Sequence, residues 1–292
     1  MKLSFLIVTK NRPDDLVFTL NKLKNLIDSS IHEVLVFIDG CAKTEAVIDG
    51  FNWVNWTVSK ESISASPARN ILYKKAKGTI FIGLDDDAHP ISNDFITNVV
   101  SEFDENQNLG IIAFQEIRGL FKSDIEALKL AKPSPSFFTN DFVGCGFAIK
   151  NEVYNATNGF PIWMDIYGEE SALAIEVLDL GFDIKYNNNI IVNHRVDVEK
   201  RKLQGRNYFR FEKQLVNSIK YYLIYHKYPM IKILKLLSHN FKKYALSDIS
   251  YFRLFFKAIF TVFFNLFTVL KYRKPVKKST LNKKVSFQLL PY

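Results

Sequence analysis

Short apolar runs alternate with helical patterns through the first two thirds of the chain. A helical pattern with one apolar stripe begins at Pro13, and the proline favours a helix start there. A second helix is predicted over Pro67–Ala76. The short apolar runs predict four strands: Leu3–Thr9, Glu33–Asp39, Trp53–Ser59 and Thr79–Leu84. Strands that alternate with helices are typical of βαβ units, so the sequence predicts an α/β fold with a mostly parallel sheet.

The alternation continues to about residue 194. It predicts helices over Ser92–Phe103 and Glu169–Leu180, and strands over Gly110–Gln115, Phe142–Lys150, Phe182–Asn187 and Ile190–Asn193. Residues 119–140 are predicted to be a long irregular segment, and His89 a loop residue. Gly144 and Gly146 would allow the backbone to approach a ligand closely.

From about Arg206 onward the pattern becomes helical, aromatic and basic. The stretch Phe252–Leu270 is the most apolar, but charged and polar residues interrupt it, and it is short for a bilayer span. It therefore predicts an amphipathic helix that lies in a membrane interface. The basic tail from Lys271 to Tyr292 is predicted to be loosely ordered. We thus expect a domain over residues 1–200 and a helical region over residues 201–292.

The charge divides in the same way. Residues 1–194 carry 17 Lys and Arg against 26 Asp and Glu, a balance of −9, whereas residues 195–292 carry 22 against 4, a balance of +18. Such asymmetry indicates an anionic partner for the basic half. No recognisable nucleic-acid-binding fold accompanies it, so an anionic membrane surface is the predicted partner and nucleic acid is not. A helical subdomain packed on the first domain is the alternative.

The two cysteines and the first residues bear on cellular location. Cys41 and Cys145 offer neither a disulfide framework nor metal-ligand spacing, which fits a reducing cytosol, and we expect both to be small buried residues. The first residues lack an apolar run long enough for a signal peptide. The predicted location is the cytoplasm, peripherally on the inner face of the cell membrane.

Three consecutive carboxylates, Asp85, Asp86 and Asp87, follow the fourth predicted strand. Carboxylates this close repel one another, so they need a cation or open water. Open α/β sheets bind ligands at strand ends, and hard oxygen ligands suit Mg²⁺ or Mn²⁺ with substrate phosphates. The triplet indicates a nucleoside diphosphate site, unless it is a solvated turn or a helix cap.

Eight short segments in this order resemble the GT-A fold of family 2 glycosyltransferases, of the type that acts in bacterial cell-surface polysaccharide synthesis. The resemblance covers about residues 3–194. Its segments are Ser4–Pro13, Phe37–Gly40, Pro67–Asn70, Leu84–Ala88, Gly146–Lys150, Asn158–Phe160, Gly168–Glu170 and Val192–His194. No Gln-x-x-Arg-Trp motif of the processive synthases is present, since Gln204-Gly205-Arg206 lacks the spacing and the tryptophan.

The resemblance implies a donor site with Mn²⁺ or Mg²⁺. Asp87 is the implied metal ligand, while Asp85 or Asp86 would bind ribose or hold ordered water; His194 is either a second ligand or a structural hydrogen-bonding residue. Arg69 would point at the donor or neutralise the aspartates. The complete set implied for the nucleotide-sugar donor is Thr9, Asn11, Arg12, Asp39, Arg69, Asp85 and Asp86.

The resemblance also implies an acidic pair that deprotonates the acceptor. Glu170 occupies the position of the catalytic base, with Glu169 as its neighbour or as an acceptor contact. Two like charges in a cleft raise one pKa, which suits a base at neutral pH; the alternative is a pair of carboxylates that merely favours a first helical turn. Trp163 and Tyr167 either stack on an acceptor sugar or close the core.

The implied activity is inverting transfer of one sugar from a nucleoside-diphosphate sugar, UDP-linked by default, to a hydroxyl group, with a lipid-linked saccharide as the expected acceptor. A sugar-phosphate nucleotidylyltransferase is disfavoured because residues 9–13 contain no glycine-rich loop. A catalytically inactive nucleotide-sugar-binding or membrane scaffold protein is the remaining alternative.

Overall fold

The computed structural model describes residues 2–133, 135–203 and 205–291, so Met1, Ser134, Gln204 and Tyr292 lie outside the described part. Within it, one sheet of nine strands organises the first 194 residues. The strands are β1 (Leu3–Thr9), β2 (Glu33–Asp39), β3 (Asn55–Ser59), β4 (Ile80–Asp85), β5 (Ala88–Pro90), β6 (Leu109–Arg118), β7 (Phe137–Thr139), β8 (Gly146–Lys150) and β9 (Asp183–His194).

The sheet is mixed, and its order is β3-β2-β1-β4-β8-β6-β9-β5, with β7 paired to β9. Strands β3, β2, β1 and β4 are parallel to one another, as the alternation of strands and helices predicts. Strand β8 is antiparallel to both β4 and β6, and β6 runs parallel to β9. The carboxyl ends of β1, β2 and β4 therefore meet at one edge.

Helices cover both faces of the sheet and form the C-terminal region. They are α1 (Pro13–Leu26), α2 (Ala42–Glu45), α3 (Ala65–Tyr73), α4 (Phe95–Glu105), α5 (Asp124–Leu128), α6 (Asn151–Ala156), α7 (Glu169–Asp179), α8 (Val198–Leu203), α9 (Tyr208–Tyr225), α10 (Met230–Lys243), α11 (Ile249–Phe264), α12 (Leu266–Leu270) and α13 (Lys278–Ser286). Among the described residues, no helix combines the length and the apolar character that crossing a membrane requires.

Three large apolar cores follow from this layering, beside a small cluster of Ile91, Ile117, Ala127 and Ile191. Side chains of α1 and α4 pack on one face of the sheet, and those of α3, α6 and α7 pack on the other. Strand β1 serves both, because its alternate residues Phe5 and Leu6 point to opposite faces. The third core joins the outer side of α7, through Ala172 and Ile175, to the C-terminal helices. Helix α7 thus connects the sheet to the helical region.

Several sequence predictions need correction. His89 is a buried residue of β5, not a loop residue, because β5 pairs with the end of β9. The predicted strands 182–187 and 190–193 are one strand, β9, with an irregularity in its pairing to β6. The segment 119–140 contains α5 and β7, Asn265 separates α11 from α12 within the apolar stretch, and the tail contains α13.

Candidate active site

The candidate site begins where β1, β2 and β4 end side by side. Thr9 pairs with Ile38, and Val8 pairs with Asp85, so the last residues of β2 and β4 each lie within one residue of Thr9 in register. Parallel strands place polar residues that follow their apolar cores on a common edge. This register collects Thr9, Asp39 and the aspartate triplet.

Asp86 is buried beneath this edge and held by two side chains. The Thr9 hydroxyl donates to Asp86 Oδ2 at 2.8 Å, and Arg12 Nη1 donates to Oδ1 at 2.9 Å. Burial raises the pKa of Asp86 to about 7, against the lowering effects of Arg12 and Thr9. Thr9 itself is buried, and it contributes to the site through its hydrogen bond to Asp86.

Asp87 lies between a fixed cation and a histidine. Arg12 Nη1 donates to Asp87 Oδ2 at 2.6 Å, and Nε2 of His194 lies 3.2 Å from Oδ1. Burial would raise the pKa of Asp87, but His194 and Arg12 bring it below its usual range. Although burial lowers the pKa of His194, contacts with Asp87, Cys145 and Glu116 raise it to about 12. The acidic surroundings of His194 thus favour a positive charge here, which is either a proton on the imidazole or a metal ion bound to its neutral form.

The same cluster fits a divalent cation. Asp85, Asp87 and His194 each offer one ligand atom, and these atoms lie within 4.8 Å of one another. Asp87 Oδ1 is buried without a well-aligned hydrogen bond among the described residues. An oxygen left in this state favours a cation at that position, since a buried unpaired acceptor is costly. Nδ1 of His194 contacts Glu116 Oε1 at 2.5 Å, which orients the ring.

Asp39 and Asn11 are engaged by neighbouring loops. The Asp39 carboxylate accepts hydrogen bonds from the Ser62 hydroxyl and from the amides of Ile63 and Ser64, at 2.6, 2.6 and 3.1 Å. The side-chain oxygen of Asn11 lies 2.7 Å from Sγ of Cys41. These contacts hold the loops on either side of the strand edge.

Arg69 connects the aspartate triplet to the acidic pair. Its Nη2 donates to Asp85 Oδ1 at 2.7 Å, while Nη1 donates to Glu169 at 3.1 Å and to Glu170 at 3.3 Å. Arg69 is buried, and the three carboxylates raise its already high pKa against the opposing effect of burial. One guanidinium therefore bridges carboxylates from β4 and from α7.

Glu169 and Glu170 begin α7, which follows Gly168 with its left-handed backbone. Burial raises the pKa of Glu170 to about 8, the negative charge of Glu169 adds to this, and Arg69 opposes it. Burial also raises the pKa of Glu169, whose Oε2 has no hydrogen-bond partner among the described residues. Glu170 keeps about a fifth of its side chain exposed, so it can meet a ligand.

The two glycines before and at the start of β8 differ in what they approach. A Cβ at Gly144 would lie 2.4 Å from Glu170 Oε1 and 2.9 Å from Arg69 Nη2. A Cβ at Gly146 would instead meet Val192. The expected close approach thus lies at Gly144 beside the acidic pair, whereas Gly146 approaches the core.

The two aromatic residues before α7 have different surroundings. Trp163 packs in the third core against Tyr225, with ring centroids 6.2 Å apart, which is the core-closing alternative. Tyr167 lines a cavity of about 1030 Å³ and contacts Phe209 and Arg210.

Sequence reasoning missed Glu116, Cys145 and Arg195 as neighbours of the site. Cys145 and Glu116 form a group with His194, and the Arg195 amide donates to Asp87 O at 2.8 Å. Both cysteines are buried, as predicted. The only sequence signal for Glu116 was a charged residue that ends an apolar strand.

The comparisons with known proteins agree with the resemblance noted above. Residues 4–151, just over half of the chain, match the model of glycosyl transferase family 2. None of the curated proteins matches this chain in sequence. The chain belongs to glycosyl transferase family 2.

Solved structures of glycosyltransferases share the fold, which is therefore GT-A with a C-terminal helical region. GalNAc-T7 with UDP, GalNAc and Mn²⁺ is 15% identical with a TM-score of 0.62; the match covers 80% of this chain but only 49% of GalNAc-T7. Staphylococcus aureus TarS 1-349 in complex with UDP-GlcNAc is 15% identical with a TM-score of 0.60, covering 88% and 79%. The mannosyltransferase PcManGT from Pyrobaculum calidifontis, in complex with GDP-Man and Mn²⁺, is 14% identical with a TM-score of 0.57, covering 97% and 83%.

Proposed function

We propose that this chain is an inverting glycosyltransferase of cell-surface glycan synthesis. It moves one sugar from a nucleoside-diphosphate sugar, UDP-linked by default, to a hydroxyl group of a lipid-linked saccharide. The observation that carries the proposal is Arg69, which joins Asp85 at the strand edge to Glu170 at the start of α7. Donor and acceptor sites must adjoin in this way for a direct transfer.

The donor would lie along the edge formed by Thr9, Asn11, Arg12, Asp39 and the aspartate triplet. Support comes from the three structural relatives, whose complexes contain UDP, UDP-GlcNAc or GDP-Man. Asp87 and His194, with Asp85, would hold Mn²⁺ or Mg²⁺, which when bound offsets the negative charge on the leaving diphosphate.

Glu170 is the proposed base. Its raised pKa lets it accept a proton near neutral pH, and its exposed fraction allows an acceptor hydroxyl to reach it. Glu170 takes the hydroxyl proton, the oxygen attacks the anomeric carbon, and the nucleoside diphosphate departs from the opposite side. A single displacement inverts the anomeric configuration.

Peripheral attachment to the inner face of the cell membrane belongs to the same proposal. The C-terminal helices expose a set of phenylalanines: Phe256, Phe260, Phe263, Phe264 and Phe267. Because residues 195–292 also carry a balance of +18, this surface suits an anionic bilayer, where aromatic groups anchor and basic groups attract lipid.

The test is calorimetric titration with UDP, GDP and dTDP, each with and without Mn²⁺. We expect one nucleotide to bind only with the metal, and Asp87→Ala to abolish that binding. Asp104→Ala, which removes an exposed carboxylate of α4, is the matched control and should bind as the wild type does. Absence of binding by all three nucleotides would overturn the proposal. Binding without sugar transfer to lipid-linked or free acceptors would instead identify an inactive binding protein.

A further inference from the structure

A large cavity reaches the start of α7, the helix that begins with Glu169 and Glu170. It has a volume of about 1030 Å³, and we call it the helical cavity because α9, α10 and α13 form most of its wall. Gly168 and Ser171, on either side of the acidic pair in sequence, also line it. The volume is at the upper end of the roughly 300–1,000 Å³ usual for small-molecule sites. Something larger than one sugar ring would fit.

The lining of the helical cavity is positively charged. Arg210, Lys232 and Lys284 line it, and the described lining residues include no Asp or Glu. His226 also lines it, and burial together with the charges of Lys232 and Lys284 lowers the pKa of His226 to about 4. Lys232 and Lys284 therefore contribute two ammonium groups to the same cavity.

Lys284 has no ion-pair partner within the described chain. Its Nζ donates to the Tyr221 hydroxyl at 3.3 Å and lies 5.5 Å from the centroid of that ring. Asp141 attracts it electrostatically, but the Asp141 carboxylate already accepts from the Ser171 hydroxyl and from the Phe142 amide. Because burial lowers the pKa of Lys284, an anion beside it would restore the stability of the charged form.

Aromatic side chains form another part of the wall. Tyr221, Tyr222, Tyr244 and Tyr251 line the helical cavity together with Phe211. Tyrosine offers an apolar ring for the faces of a sugar and a hydroxyl for its hydrogen bonds. A ligand with a saccharide portion and an anionic group therefore matches both parts of the lining.

We propose that the helical cavity binds the acceptor as a phosphate-bearing saccharide, with the phosphate at Lys232 and Lys284 and a free sugar hydroxyl directed toward Glu170. Phosphate is an anion that the two ammonium groups of this cavity suit, because lysine binds phosphate as a point charge. The inference rests on the proposed transferase activity and names its acceptor class. The phosphate is carried either by a lipid-linked sugar or by a free sugar phosphate.

Binding of three probes tests this, with the donor edge filled by saturating UDP and Mn²⁺ so that phosphate cannot bind there. The probes are glucose 1-phosphate, glucosyl-pyrophosphoryl-decane and the uncharged decyl glucoside. We expect both phosphate probes to bind, and decyl glucoside to bind at least about tenfold more weakly. Tighter binding of the decane-linked phosphate than of glucose 1-phosphate identifies the lipid-linked source, and equal binding identifies the free one.

Matched lysine variants locate the site. Lys284→Met and Lys232→Met should each weaken binding of the phosphate probes about tenfold, because each removes one charged hydrogen-bond donor. Lys278→Met and Lys235→Met lie on the same two helices outside the cavity lining and should bind as the wild type does. Equal binding of decyl glucoside and the phosphate probes, or equal affinities of Lys284→Met and Lys278→Met, would overturn the inference.

The UDP titration separates this inference from the proposed function. If the wild type binds no nucleotide, the transferase proposal fails whatever the cavity binds. If the Lys284→Met variant binds UDP normally but has lost selectivity for phosphate probes, the fold is intact and the cavity is the acceptor site.

Discussion

The side chain of Arg69 is surrounded by three carboxylates, and these groups determine how Glu170 holds its proton. Burial and the charge of Glu169 raise the pKa of Glu170, while Arg69 lowers it. The balance is a pKa of about 8, well above that of an exposed glutamate. A carboxylate in this state is half-protonated close to physiological pH.

The first prediction concerns the pH dependence of transfer. Since Glu170 acts as a base only when it is deprotonated, kcat/KM should rise about tenfold per pH unit up to a midpoint near 8, and level off above it. Removing the like charge with Glu169→Gln should lower the pKa of Glu170 and move the midpoint to lower pH. Initial-rate measurements from pH 6 to 9 would show this.

The control for the pH profile is Glu152→Gln, which changes an exposed glutamate of α6 and should leave the midpoint in place. A kcat/KM that stays constant from pH 6 to 9 in the wild type would exclude Glu170 as the titrating base.

The second prediction concerns Gly144. A methyl group there would lie 2.4 Å from Glu170 Oε1, so Gly144→Ala should displace the carboxylate and lower kcat/KM about 100-fold. The thermal midpoint should change little, because the crowded atoms are side-chain ends. Gly50→Ala has open space around its new methyl group and is the matched control. Equal rates for the two variants would contradict the placement of Glu170.

At the scale of elements, α7 is the helix against which both the sheet and the C-terminal helices pack. Its inner side packs on the sheet, and its outer side belongs to the third core. A buried hydrogen bond ties α7 to α9: the Tyr225 hydroxyl donates to Glu176 Oε1 at 2.7 Å. The position of the acidic pair at the start of α7 is therefore supported from both sides.

The third prediction tests this support. Tyr225→Phe removes a hydrogen bond to a charged group and should lower the free energy of unfolding by about 1.5–3 kcal/mol. Urea denaturation followed by circular dichroism would measure it. Tyr228→Phe, at a tyrosine that is 75% exposed, should leave the free energy unchanged. If both variants unfold at the same urea concentration, the contact between α7 and α9 does not contribute to stability.

The elements were predictable where the signal is local. The strand over Leu3–Thr9 is found at its predicted bounds, because its apolar run and the proline that follows it are both in the sequence. The contact between His194 and Glu116 was not predictable, since it depends on β9 lying beside β6 in a sheet whose order the sequence does not state. Strand β5 was missed for the same reason: its three residues form a strand only by pairing with β9.

The candidate site, too, was predictable from the sequence only in part. The aspartate triplet and the acidic pair could be placed at a strand end and a helix start from sequence alone. The partners of Arg69 could not, because they come from β4 and α7, up to 101 residues away. The helical cavity could not be predicted either, since residues from widely separated parts of the chain, from Asn140 to Leu289, form its wall.

At the scale of the whole molecule, the division of charge gives the fourth prediction. The protein should bind vesicles that contain anionic lipid, and bind them less at 1 M salt than at 0.1 M, because salt screens the basic helical region. Replacing Phe263, Phe264 and Phe267 by serine should reduce binding at least about tenfold, since burial of one phenylalanine contributes about 1.5–3 kcal/mol. Cosedimentation would measure both effects.

The matched control replaces two exposed apolar residues of the sheet domain, Leu120→Ser with Ile125→Ser, and should bind vesicles as the wild type does. Equal binding to neutral and anionic vesicles would contradict an electrostatic contribution. Unchanged binding of the phenylalanine variant would place the membrane contact elsewhere.

The wall that α13 gives to the helical cavity is held by few buried groups. The helix has nine residues, and Thr280 is its one fully buried residue. Helices this short do not persist alone in water, so α13 depends on docking contacts such as that of the Thr280 hydroxyl with Asp179 at 2.6 Å. Elements with few buried groups open locally while the remainder of a protein stays folded. Detachment of α13 would therefore widen the helical cavity while the sheet domain stays folded.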